Sequence, residues 1–211
     1  MPNLRLTSAP VRPQQRVPDT YSMYARAGDP WTGWYDRRRY ALIMAMLPYQ
    51  RYRHAFEPGC SVGILTDLLT RRCEHVTATD VTTGALDAAS WRLRSGGCRE
   101  RVTLLRRALD EPWPPGRFDL VVLSEVGYYL APETLRAVLD REIPRLARAA
   151  TVVAAHWRRP VDHYPMTGDR ANDIIAATSG LHLISSYRDA DVAIEVFDTA
   201  SAASVAERSR R

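Results

Sequence analysis

The chain has 211 residues, 45% of them hydrophobic, which is enough for one substantial core and a single domain. All 29 basic residues are arginine and none is lysine, so Schiff-base chemistry, a pyridoxal phosphate anchor and a P-loop lysine are excluded. The net charge of +5 rests on arginines scattered from Arg5 to Arg211 rather than gathered in a stripe, which argues for a solvated surface and against nucleic acid.

Residues 1–28 carry four prolines and no sustained periodicity, and read as a flexible arm or lid with no obvious chemistry of its own. No apolar run reaches a membrane-spanning length of about 18 residues, and no charged-then-apolar leader opens the chain. A cytoplasmic protein with no membrane partner is therefore expected. Cys60, Cys73 and Cys98 lack CxxC spacing, which argues against both a zinc site and a disulfide framework, and no metal is expected.

From Asp29-Pro30-Trp31 the pattern changes. Asp29 can cap a helix before Pro30, and Tyr40, Ile43, Met44 and Leu47 recur at helical spacing up to Pro48. Strand and helix signals then alternate: a strand at 54–57, a helix at 62–72, a strand at 76–80, a helix at 85–93 ended by Gly96-Gly97, and a strand at 102–106. A strand at 118–124, a helix at 132–148, a strand at 151–156, a helix at 172–178 and strands at 181–187 and 192–198 follow. This alternation predicts an α/β fold with a mostly parallel seven-stranded sheet and helices on both faces. The short turn Arg188-Asp189-Ala190-Asp191 makes the last two strands an antiparallel hairpin. Residues 29–200 form the domain and 201–211 a polar tail.

Ligands of such sheets lie beyond the carboxyl ends of the strands. There the sequence places Glu57, then Gly59-Cys60-Ser61-Val62-Gly63 leading into a helix, and Asp80 at the end of the next strand, the arrangement of a nucleoside-binding βαβ unit. A dinucleotide fingerprint beginning at Gly59 would need glycine at 61 and glycine or alanine at 64, where Ser61 and Ile64 stand. Aligned instead as acid-x-Gly-x-Gly-x-Gly, positions Glu57, Gly59 and Gly63 match and Ser61 replaces the middle glycine. In this form the segment resembles the class I S-adenosylmethionine (SAM) methyltransferases, with their Rossmann-like fold. After the fourth strand comes Ser124-Glu125-Val126-Gly127-Tyr128-Tyr129-Leu130, in place of the Asn/Asp-Pro-Pro-Tyr/Phe of many nucleic-acid methyltransferases. With Asp29-Pro30-Trp31 and Glu57-x-Gly-Cys, this string resembles the nodulation protein S family of N-methyltransferases, which act on a chitooligosaccharide amine.

The resemblance implies SAM as cofactor, S-adenosylhomocysteine as product, and a cofactor site of Trp31, Glu57, Gly59, Cys60, Ser61, Gly63, Asp80, Val81, Ala108, Leu109 and Ser124. Glu57 would hold the methionyl amino end and Asp80 both ribose hydroxyls. The acid usual after the third strand falls on Ala108, whose backbone and that of Leu109 would serve instead, with Asp110 as a substitute from downstream. For the reaction, a small-molecule methyl transfer to an amine nitrogen is expected, with O- or C-methylation and a catalytically inactive SAM-binding protein as alternatives. His156, Glu125 and Tyr128 are the catalytic candidates, His156 foremost because a strand-end imidazole suits proton removal near neutrality. Tyr129, Trp157, His163, Tyr164 and Asp169 are the candidate acceptor-binding residues, the segment 163–169 being read as a loop. Monomer and homodimer remain equally open.

Overall fold

The structure, a computed structural model, describes residues 33–208. The arm at 1–28, the cap at Asp29 and the cofactor candidate Trp31 lie outside the described residues. Helix α1 (Trp34–Met46) leads into strand β1 (Tyr52–Pro58), followed by α2 (Ile64–Thr70), β2 (Cys73–Asp80), α3 (Thr83–Ser95), β3 (Val102–Arg106) and β4 (Leu120–Ser124). Then come α4 (Pro132–Glu142), β5 (Thr151–Trp157), α5 (Gly168–Ala176), β6 (His182–Arg188), β7 (Val192–Asp198) and the single turn α6 (Val205–Arg208), which gives the polar tail a short helix.

The seven strands form one sheet in the order β3-β2-β1-β4-β5-β7-β6. All neighbours are parallel up to β5, and β7 then runs antiparallel to both β5 and β6. Side chains of a strand alternate between faces, and the core is divided accordingly. Leu120 and Val122 of β4 with Val153 and Ala155 of β5 pack under Ile43, Leu65, Leu69 and Leu93 of α1 to α3. Val121 and Leu123 with Val152 and Ala154 pack under Leu135, Leu139, Ile174 and Ile175 of α4 and α5. Burial on both faces is why these central strands are unbroken apolar runs.

Most expected boundaries move by a few residues, and three of the shifts have a plain physical reason. The helix expected at 132–148 ends as an α-helix at Glu142 and tightens into a 3-10 turn over Ile143–Arg145, because Pro144 has no N–H to continue the ladder. Strand β4 begins at Leu120 rather than 118: the Asp119 carboxylate reaches across and accepts the backbone N–H groups of Arg53 (3.0 Å) and His54 (2.9 Å). Helix α5 begins at Gly168, four residues before the expected start, with the Thr167 hydroxyl accepting the Arg170 N–H as N-cap. Gly168 is required there, since a Cβ would lie 2.0 Å from the Trp157 carbonyl oxygen.

No helix among the described residues is long and apolar enough to cross a membrane. The three cysteines are free and buried.

Candidate active site

The carboxyl ends of β1, β2, β4 and β5 meet at one edge of the sheet, and the two sequence motifs are built against each other there. Gly59, Ser61 and Gly63 all have positive φ (71°, 49° and 78°), so the chain winds through left-handed positions before α2 begins. Glycine meets this without strain at 59 and 63; Ser61 carries a side chain in it. A Cβ on Gly59 would lie 2.2 Å from Cγ1 of Val126, and one on Gly63 would lie 2.9 Å from the Ala89 Cβ. The glycine turn and the Ser124–Leu130 segment are thus in direct contact.

Asp80 locks the turn. Its Oδ2 accepts the Ser61 N–H at 3.0 Å, and its Oδ1 accepts the Thr82 N–H and hydroxyl, both at 2.9 Å. Cys60 is buried and its N–H donates to the Thr79 carbonyl. Glu57 is sealed at the end of β1, where its Oε2 accepts the Thr66 hydroxyl at 2.6 Å. Burial, reinforced by the nearby Asp80 charge, pushes its carboxyl up to about 8. A buried carboxyl with one hydrogen-bonded oxygen beside a left-handed glycine turn is a site into which a cationic amine fits. Val81, half-buried, accepts the Arg106 guanidinium on its carbonyl.

Around Ala108, where the acid is missing, the loop closes on itself. The Ala108 N–H donates to Oε2 of Glu111 at 2.6 Å, while the Asp110 and Glu111 carbonyls accept Arg141. Asp110 is exposed and Leu109 is half-buried beside the α4–α5 core. Glu111, not Asp110, is therefore the carboxylate that meets Ala108.

At the end of β4, Glu125 adopts positive φ (58°), which turns its side chain inward. Its Oε1 accepts the Trp157 N–H at 2.7 Å and faces the Arg39 guanidinium of α1 at 3.5 Å, and its Oε2 accepts the Tyr128 hydroxyl at 2.6 Å. Burial raises the carboxyl above its ordinary range while Arg39 opposes the shift. Arg39 is itself buried between the Tyr35 and Tyr40 rings and also pairs with Asp36. Glu125 is an anchor with both oxygens engaged. Ser124, half-buried, ends β4 beside it.

Beyond Glu125 stands an aromatic cluster. Tyr128 stacks on Tyr164 (centroids 4.9 Å apart, 16° between planes), and Tyr129 meets both edge-on, its hydroxyl 3.2 Å from that of Tyr164. Trp157 and Tyr35 form a second edge-to-face pair at 5.3 Å. Tyr128 is buried, whereas Tyr129, Tyr164, Trp157 and Tyr35 are half-buried and offer ring surface.

One expected role does not survive this geometry, and one residue read as part of a loop lies on a helix. His156 is 0% exposed and both ring nitrogens are engaged: Nε2 accepts the Gly127 N–H at 3.0 Å and Nδ1 lies 2.6 Å from Oδ1 of Asn172. Burial lowers its pKa to about 4, so it is no proton acceptor for a bound ligand. Asp169, on α5 rather than in a loop, is held by Arg158 at 3.0 Å and Arg188 at 3.4 Å, which keep its carboxyl below the ordinary range. His163 is exposed, one residue before Tyr164 of the cluster. The residues that sequence reading passed over are Arg39, Thr66, Glu111 and Asn172. Only Arg39 left a trace, a charge four residues before Ile43 and so on the same helix face.

The strand order, the terminal antiparallel hairpin and the glycine turn between two strand-end carboxylates are those of the class I methyltransferases. More narrowly, the chain belongs to the nodulation protein S family: the model of "Nodulation protein S (NodS)" matches residues 15–162. Nodulation protein S of Bradyrhizobium diazoefficiens is 32% identical over 106 residues, 48% of this chain and 49% of that protein. The chain spans about half the length of the curated relatives it matches. Among solved structures, a protein of Pseudomonas syringae assigned provisionally as a methyltransferase is 33% identical, with TM-score 0.66, over 79% of this chain and 99% of that one. The N-methyltransferase NodS of Bradyrhizobium japonicum WM9, in complex with S-adenosyl-L-homocysteine, is 21% identical and shares the fold with TM-score 0.72 over 85% of this chain and 96% of that one.

Proposed function

We propose that this protein binds SAM and transfers its methyl group to a small-molecule acceptor, most directly an amine nitrogen. The observation that carries the reading is the placing of Glu57 and Asp80 on either side of the left-handed Gly59–Gly63 turn, in contact through Val126 with the segment that carries the Tyr128–Tyr129 rings. Glu57 would take the methionyl ammonium, the α2 side of the turn its carboxylate, and Asp80 the ribose hydroxyls. The Ala108–Glu111 loop would border the base. SAM supplies an electrophilic methyl on a sulfonium, so the acceptor nitrogen attacks in line as the carbon–sulfur bond breaks, and the protein's task is placement.

Tyr129, Tyr164, Trp157 and Tyr35 would form the acceptor's walls, with Val126 between the two ligands. Since Glu125 and His156 are both committed to internal bonds, the amine arrives unprotonated and passes its remaining proton to water. An acceptor smaller than a nucleic acid agrees with the cluster of half-buried rings at this end of the sheet and with arginines scattered along the chain rather than gathered in one stripe. Placement in the cytoplasm agrees with three reduced, buried thiols.

Calorimetry with SAM and S-adenosylhomocysteine, followed by methyl-transfer assays on a panel of primary and secondary amines, tests the reading. Binding of both with turnover of an amine is expected. Binding without turnover of any acceptor would leave a SAM-binding protein, and NAD binding without SAM binding would overturn the assignment.

A further inference from the structure

We propose that His156 is a positioning residue, locked as the neutral Nδ1–H tautomer, that holds the Gly127–Tyr129 turn in register with the sheet and takes no part in proton transfer. The tautomer follows from the two fixed ends of a hydrogen-bonded chain. At one end the Gly127 amide can only donate, so Nε2, 3.0 Å away, must be its acceptor. At the other end the Ala193 carbonyl can only accept, so it takes Nδ2 of Asn172 at 3.5 Å and turns that residue's Oδ1 toward the ring. Between them the His156 proton must sit on Nδ1, donating to Asn172 at 2.6 Å. The side chain of Asn172 also hydrogen-bonds Glu195, a carboxylate that can only accept from it, which holds its Oδ1 toward the ring in the same sense. A second proton would set an N–H against the Gly127 N–H, and the nearby Arg39 guanidinium of α1 disfavours it too.

The chain closes on itself, because His156 and Ala193 are paired residues of β5 and β7. Four elements thus converge on one ring: β5, β7, α5 through Asn172, and the turn carrying Tyr128 and Tyr129. Space is set as tightly as polarity, since a Cβ on Gly127 would lie 3.0 Å from Nε2 and 3.2 Å from the Ala171 Cβ. Glu125 fixes the first residue of the same segment through the Trp157 N–H. The segment carrying Tyr128 and Tyr129 therefore hangs from two adjacent residues of β5, one bonding through its ring and the other through its backbone.

The inference deepens the methyl-transfer reading but is testable apart from it. In the full-length protein, long-range proton–nitrogen NMR of the imidazoles, assigned by the signals missing in His156→Gln, should show His156 as the Nδ1–H tautomer and unchanged between about pH 5 and about pH 9. A proton on Nε2, or titration near neutrality, would overturn the proposal whatever the protein binds. Amide exchange supplies the second arm. Glutamine offers an oxygen near the Nε2 position but cannot act as a base, so His156→Gln should keep Gly127 protected, whereas His156→Ala should lose about tenfold or more of that protection. If an amine is methylated by the wild type, kcat should follow the same order, glutamine rescuing most of the alanine loss. A glutamine variant as inactive as the alanine variant while Gly127 stays protected would return His156 to the chemistry. Failure of the wild type to bind SAM would sink the functional reading while leaving the tautomer as it stands.

Discussion

Arg39 of α1 and Glu125 at the end of β4 face each other at 3.5 Å with side chains only 2% and 11% exposed. The pair ties the helix that precedes the sheet to the segment that carries Tyr128 and Tyr129. Removing Arg39 takes the cation from two buried carboxylates, Glu125 and Asp36. Arg39→Met should destabilise the protein by about 3–5 kcal/mol, and adding Glu125→Gln should recover a substantial part of that loss. Urea unfolding of the two singles and the double closes the cycle; strict additivity would mean the pair is not coupled.

Glu57 gives stability a pH dependence of unusual sign. Its folded-state pKa of about 8 lies above the ordinary 4.5, so folding keeps a proton that the unfolded chain gives up. The stability this contributes is present in full below about 4.5 and is lost as the pH rises through about 8. Without ligand, the protein should lose on the order of a few kcal/mol across this window, and Glu57→Gln should flatten the slope. If SAM's ammonium lands on Glu57, binding near pH 7 releases a proton, detectable as a calorimetric heat that varies with buffer ionisation enthalpy.

The glycine turn separates backbone demand from side-chain contact. Ser61 sits at φ 49°, a conformation that costs a residue with a side chain more than it costs glycine, so Ser61→Gly should raise stability by up to about 1 kcal/mol. Gly59→Ala combines φ 71° with a collision into Val126 and should both destabilise the fold and impair SAM binding. Thermal melts with and without SAM distinguish the two effects.

Asp80 already holds three protein donors, from Ser61 and Thr82. Asp80→Asn can keep only part of this set, because an amide has one acceptor oxygen. SAM affinity should fall by about 1–3 kcal/mol, and stability should fall as well. Full affinity in the variant would remove Asp80 from the cofactor site.

With His156 and Glu125 engaged internally, the rate's pH dependence belongs to the acceptor. The value of kcat/KM should rise with pH up to the pKa of the amine used, and should shift when an amine of different basicity is substituted. An inflection independent of the amine would reveal a protein base.

The parts of the fold legible in the sequence are those set by local pattern. Strands β3 and β7 fall on the expected residues because apolar runs and turn residues bound them, and Glu57 and Asp80 are found at strand ends because the intervening glycines fix the spacing. What stayed hidden depends on distant partners. His156 reads as an accessible base until Asn172, from a helix 16 residues on, and Gly127, 29 residues earlier, take both its nitrogens. Helix α5 starts at Gly168 because of backbone contact with Trp157, which no propensity records. Glu111 reaches Ala108 by a three-residue return whose direction the composition of the loop does not specify.

The placing of β7 between β5 and β6 has a consequence for synthesis. The half of the sheet that carries the glycine turn, β3-β2-β1-β4, has all its strands once Ser124 has left the ribosome, but β5 obtains its outer neighbour only with residues 192–198. A nascent or truncated chain ending before Val192 exposes the whole apolar edge of β5 to whatever strand is nearest. Such chains should aggregate through that edge rather than stay dispersed, and their rescue should require the last hairpin supplied in full rather than added ligand.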